Sequence, residues 1–230
     1  MEALGQALAR AGAGHGQVVG LVGEPGVGKS RLVWEFSHSH RTEGWFVLES
    51  GSVSYGKATA YRPIIDLLKA YFQIEDRDDG RKIREKVTGK ILTLDKRLEP
   101  AMPAFLTLLD VVSDDPDWQA LDPPQRRHRT LDACKRLVLR ESQVQPLLLV
   151  FEDLHWIDTE TQAFLDTLVE SLPPLGSCSS SATAPSTSKA GEIELPTLSF
   201  DSTRCRPRAP KSYCRPSWVT IPSCDRCGSS

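Results

Sequence analysis

Gly23-Glu24-Pro25-Gly26-Val27-Gly28-Lys29-Ser30 satisfies the pattern G-x-x-x-x-G-K-[ST] at every fixed position. The pattern has a physical meaning: glycines let backbone N–H groups close around phosphates, Lys29 reaches the β and γ oxygens, and the Ser30 hydroxyl ligates Mg²⁺. The helix that follows aims its positive end at the same anion. The flanks have the required order, because Gln17 to Val22 reads as a short buried strand and Ser30 to Arg41 as a helix. Gly23 through Arg31 is therefore the expected nucleoside triphosphate-binding stretch.

Outward from this loop the chain alternates between strand and helix. Glu2 to Ala13 carries Leu4, Ala7 and Leu8 on one helical face and ends in the glycines at 12, 14 and 16. Gly44 breaks the chain before an apolar strand at Trp45 to Ser50, so strand, helix, strand suggests a parallel unit. Residues 51–60 are polar, and Pro63 suits the first turn of a helix over Ile64 to Phe72. Arg81 to Leu94 and Ala104 to Val112 read as further helical segments. Glu75 to Asp79 reads as a solvated acidic loop, since nothing else converges there to hold a metal. Asp122-Pro123-Pro124 opens a helix through about Arg140, with Arg126, Arg127 and Arg129 expected on a solvated face.

The second half of the site lies more than a hundred residues beyond the loop. Leu147-Leu148-Leu149-Val150-Phe151 is a continuous apolar run of strand length, and Glu152-Asp153 follows at once. A strand buried on both faces that ends in acids is what a second nucleotide motif requires: one acid holds Mg²⁺ through water and the other orients the attacking water. Which of Glu152 and Asp153 does which stays open. Asp158 reads as the cap of a helix over Glu160 to Leu172, and His155 and Trp156 as packing residues.

The run Glu152-Asp153-Leu154-His155-Trp156-Ile157-Asp158, with the phosphate loop, resembles the AAA-type ATPase domains of the origin-recognition-like and STAND signalling class. The resemblance covers about Leu4 to Leu172. It implies a P-loop NTPase fold, a three-layer α/β sandwich around a mostly parallel sheet, and ATP with Mg²⁺ as the bound pair. It also implies a slow nucleotide-driven switch, as found in large signalling proteins that carry class III adenylate or guanylate cyclase domains, with self-association or partner domains in a longer relative. Relatives often place Asp first in the acid pair, and a Gly-Arg-x-x-Glu-Leu segment before the first helix. Met1 lies just inside that point, so the domain is expected to be truncated at both ends.

Bulk composition excludes other classes. With 40% hydrophobic and 25% charged residues the chain is ordinary for a soluble protein, and a net charge of -2 offers nothing to nucleic acid or an anionic membrane. The absence of any ~20-residue apolar run or basic-apolar leader leads to a cytoplasmic reading.

After Pro173-Pro174 the character changes. Residues 175–230 are rich in Ser, Pro, Arg and Cys with no apolar period, and are expected to form a disordered tail after a nucleotide-binding domain over 1–174. The family resemblance calls for another buried strand here, bearing a sensor of the γ-phosphate, and then a small helical lid; both are read as missing. Serine codons of the type TCN, read one base earlier, encode only Phe, Leu, Ile or Val, and a cysteine codon TGC becomes Leu, Met or Val, so Ser177 to Ser181, with Cys178, would become an apolar strand. A frameshift near Leu175 is the expectation that follows. The rival is a zinc module on Cys205, Cys214, Cys224 and Cys227, although the gaps between them fit no common knuckle.

Three functional readings result. The leading one is an ATP-binding domain of a regulatory ATPase, with Lys29, Glu152 and Asp153 as the groups that would carry hydrolysis and with turnover impaired for want of the sensor. A small-molecule kinase shares the phosphate loop but normally adds an acceptor pocket and an arginine-bearing lid. A non-functional gene fragment would be unable to close its sheet.

Overall fold

The computed structural model describes residues 1–24, 26–51, 60–172 and 217–221, the last five and His155 by their backbone alone. Four strands form one sheet: β1 (Gln17–Leu21), β2 (Phe46–Gly51), β3 (Leu147–Glu152) and β4 (Ser217–Ile221). Helices α1 (Glu2–Gly12), α2 (Lys29–Ser37), α3 (Arg62–Phe72), α4 (Gly80–Leu94), α5 (Met102–Leu108), α6 (Pro116–Gln119), α7 (Pro123–Val144) and α8 (Thr159–Glu170) surround it.

β3 explains the layering. Successive side chains of a strand point to opposite faces, and every one of Leu147 to Phe151 is buried. Leu147, Leu149 and Phe151 join an apolar cluster with residues of α3, α4, α5, α7 and α8, including Ile64, Phe72, Ile91, Phe105, Leu137 and Phe164. Leu148 and Val150 join a second cluster with Leu4, Leu8 and Ala11 of α1 and Val33 and Phe36 of α2. An unbroken apolar run is thus a strand with helices on both faces, the three-layer α/β arrangement expected. α1 buries Leu4, Ala7, Leu8 and Ala11, a stripe at helical spacing.

Local chemistry sets the boundaries. α7 begins in a capping box, where the Asp122 carboxylate accepts from the Gln125 N–H at 2.8 Å and the Gln125 side-chain amide oxygen accepts from the Asp122 N–H at 3.3 Å. The helix expected over Ser30 to Arg41 stops at Ser37 instead. Ser39 then bonds back to the Phe36 carbonyl at 2.7 Å and caps a short 3₁₀ turn at His40–Thr42. Small polar side chains that bond their own backbone compete with the helix in this way.

The sheet order is β1-β4-β3-β2. β2 pairs with β3 in parallel, whereas β4 runs antiparallel to both β1 and β3. It follows that β1, β2 and β3 share one direction and β4 opposes them. Two features of the tail go beyond the sequence-based expectations. The tail was expected to lack structure throughout, yet Ser217–Ile221 is a strand. The place between β1 and β3 is filled by that strand, in the reverse sense to its neighbours. Residues 173–216, where the shifted frame and the missing sensor strand were assigned, lie outside the described residues, as do Cys205, Cys214, Cys224 and Cys227.

The acidic stretch at 75–79 also differs from expectation. Asp78 is not solvated: its side chain is covered, receives the Glu75 N–H at 2.8 Å, and pairs with Lys86 at 2.5 Å and Lys82 at 3.4 Å. The two lysines reach it from the first two turns of α4, a placement that the acidic composition alone does not reveal. Nor are the arginines of α7 simply solvated. Arg127 donates to Glu160 of α8 at 2.6 Å and Arg126 to the Gln119 carbonyl at 2.7 Å, although both remain exposed.

Candidate nucleotide site

Leu21 is the last residue of β1 and Lys29 the first of α2, so the motif forms the connection between them. Two of its glycines adopt backbone conformations that other residues avoid: φ is 82° at Gly26 and 96° at Gly28, which caps α2. A Cβ at either would meet nothing within 4 Å. The requirement for glycine is therefore one of dihedral angle. At Gly23 a Cβ would lie 3.2 Å from the Val27 side chain, a tight contact that the exposed Val27 would have to yield to.

Lys29 turns back over the loop. Its Nζ donates to the carbonyls of Gly23 and Glu24, both at 2.9 Å. The ammonium is thereby held over the loop at the amino-terminal end of α2, where the first-turn N–H groups also converge. Ser30, in that first turn, is exposed. Arg31 points the other way: its Nε donates to Glu35 at 2.8 Å, one turn further along the helix. Glu24, Gly26 and Val27 are exposed, and Pro25 lies outside the described residues.

The acid pair stands at the same edge of the sheet. Trp218 of β4 pairs with Gly20 on one side and Phe151 on the other, and Gly51 of β2 pairs with Glu152. Leu21, Glu152 and Gly51 therefore end their strands level with one another. The connection holding residues 23–28 and the connection holding Asp153 leave the sheet at one edge, with β4 between them. Two strand spacings put β1 and β3 about 9–10 Å apart.

Asp153 adopts φ 55°, a left-handed conformation uncommon outside glycine but tolerated by Asp. It starts a 3₁₀ turn at Leu154–Trp156, where the Trp156 N–H donates to the Asp153 carbonyl at 2.9 Å. Leu154 is buried in the core and pins the turn. Glu152 and Asp153 themselves are half-buried.

Just beyond, Asp158 caps α8 as its position suggests. Its carboxylate accepts from the N–H groups of Glu160 and Thr161 at 3.0 Å and from the Thr161 hydroxyl at 2.7 Å. Burial opposes its ionisation, but these bonds and the one from Tyr61 outweigh it and hold the acid below its usual range. Reading the sequence missed what Asp158 and its neighbour Glu160 join. Glu160 receives both Arg127 and the Tyr61 hydroxyl, at 2.6 and 3.2 Å. Burial, reinforced by the Glu160 charge, pushes the Tyr61 hydroxyl well above its ordinary pKa. The partners are 33 and 99 positions from Glu160, so no local pattern could have revealed them.

Among the described residues no cluster of three or more His, Cys, Asp or Glu side chains could hold a metal by itself. A lone hydroxyl and two neighbouring carboxylates suit Mg²⁺, which keeps several waters and takes one or two carboxylates together with phosphate oxygens. No helix among the described residues is long and apolar enough to cross a membrane.

Helices on both faces of a sheet, with a glycine loop joining the first strand to its helix, define an α/β domain of the phosphate-loop class. Residues 1–179 match the family described as the AAA ATPase domain, and the chain belongs to that family of nucleotide-binding domains. Comparison with curated proteins and with solved structures gave no match.

Proposed function

We propose that this chain is the ATP-binding domain of a regulatory, signalling-type AAA ATPase and that it holds Mg·ATP between residues 23–30 and the acid pair. The observation that carries this reading is the common edge: residues 23–28 after β1 and Glu152-Asp153 at the end of β3 leave the sheet at the same edge. Backbone N–H groups of the loop and the start of α2 would receive the phosphates, and Lys29 would exchange its two loop carbonyls for β and γ oxygens. Ser30 and one of the two acids would hold Mg²⁺, the cation that neutralises the charge of the phosphates.

Nucleotide binding outlasts turnover in this reading. Hydrolysis needs a group that senses the γ-phosphate as well as one that orients water. Among the described residues the strand beside β1 and β3 runs antiparallel, so its Ile221 end lies at the edge away from the phosphate loop.

Titrating the chain with a fluorescent ATP analogue and Mg²⁺ tests this, with Lys29→Ala alongside. Wild-type binding that weakens at least about tenfold in the variant is expected, since a charge-assisted contact is worth ~1.5–3 kcal/mol. Equal binding by the two proteins would remove residues 23–30 from the site. Glu152→Gln and Asp153→Asn, compared for Mg²⁺ dependence, assign the metal to one acid.

A further inference from the structure

We propose that Ser217–Ile221 is the positioning strand of the nucleotide site, and that its docking is thermodynamically linked to Mg·ATP binding. This inference rests on the proposed function and deepens it.

β1 and β3 carry the two halves of the site, yet each is hydrogen-bonded to β4 on the side that faces the other. Gln17–Leu21 pair with Ile221–Ser217, and Leu149–Phe151 with Thr220–Trp218. β4 therefore sets two quantities. One is the lateral separation of about two strand spacings. The other is longitudinal register, since Gly20 and Phe151 are level only because both face Trp218.

Among the described residues nothing else sets these two quantities as directly. The apolar cluster joining α1, α2, Leu148 and Val150 holds β1 near β3, but such contacts are not directional. Without β4 the facing backbone groups of β1 and β3 would be unpaired in a buried layer, which is costly. Collapse of β1 onto β3 would satisfy them and would carry the phosphate loop toward the acids by one strand spacing, about 4.8 Å. A site matched to a phosphate-bound cation does not tolerate such a displacement. Linkage is reciprocal, so a ligand that needs β4 in place must also hold it in place.

The experiment is amide hydrogen exchange on the full chain, with and without Mg·ATP, read on peptides spanning 217–221. It is joined to Mg·ATP titration of wild type and Val219→Pro, because proline removes a ladder hydrogen bond from an interior strand. The amides of Trp218, Val219 and Thr220 are expected to exchange far more slowly than an unstructured chain, and about tenfold more slowly again with Mg·ATP. Val219→Pro is expected to lose about tenfold or more in affinity. Exchange at unstructured rates, protection indifferent to bound nucleotide, or a Val219→Pro chain that binds as tightly as wild type would overturn the inference and leave the nucleotide reading intact. A wild-type chain that binds no Mg·ATP while these amides stay protected would overturn the nucleotide reading instead. The wild-type exchange data decide the matter even if the proline variant fails to fold.

Discussion

The Asp158 carboxylate accepts the backbone N–H of Tyr61 at 3.0 Å across 97 positions of sequence. The same oxygen receives two amides of the first turn of α8, so one side chain both caps a helix and ties it to the start of α3. Removing it strands several donors in a mostly buried place. Asp158→Ala is expected to destabilise the chain by about 2–3 kcal/mol, the lost cap together with unpaired N–H groups. Asp158→Asn keeps an acceptor oxygen and costs less. Urea unfolding followed by circular dichroism checks the ranking; an alanine variant as stable as wild type would count against it.

Gly28 is strained for any other residue by angle alone, at φ 96° with open space around it. Gly28→Ala is expected to cost about 1–2 kcal/mol of stability. Its larger effect is on phosphate binding, because relaxing the angle turns the first N–H groups of α2 away from the loop. Paired thermal melts and Mg·ATP titrations separate the two effects.

Asp78 responds to acid in a defined direction. The Glu75 N–H and the Lys86 ammonium favour its charged form over the opposing effect of burial and lower its pKa from 3.8 to about 2. In the unfolded chain the group takes up a proton first as pH falls. Its contribution to stability is thus complete above about pH 5 and is lost as pH drops through 3.8 toward 2. The stability gap between wild type and Asp78→Asn should be widest near neutrality and close by about pH 2. A gap that stays constant from pH 7 to pH 2.5 would refute the assignment.

Cys134 sits in α7 with its thiol buried, and burial raises its pKa from 9.0 to about 12. The thiolate is the reactive form, so iodoacetamide at pH 8 should leave Cys134 unmodified until the chain is denatured. Peptide mapping by mass spectrometry distinguishes it from the five cysteines of the tail. Rapid labelling of the native protein at this position would show that α7 packs otherwise.

Much of the fold was legible because its signals are local. The alternation of β3 between two apolar clusters follows from five consecutive apolar residues, and the helix starts at Asp122 and Asp158 follow from capping chemistry. The fate of Asp78 was not legible, since an acidic run reads as solvated until the lysines of α4 are folded over it. The links from Glu160 to Tyr61 and Arg127 were hidden for the same reason: their partners meet only when α3, α7 and α8 pack together.

The sequence by itself determined the phosphate-loop motif, the acid-ended strand and the layered α/β class, because each depends on residue type at short spacing. Only the tertiary structure decided that the strand between β1 and β3 comes from Ser217–Ile221 and runs against its neighbours. Strand pairing is made through backbone groups that every residue but proline carries. A segment's place and direction in a sheet are therefore chosen by the vacancy it fills and the neighbours it meets, which its own composition does not spell out.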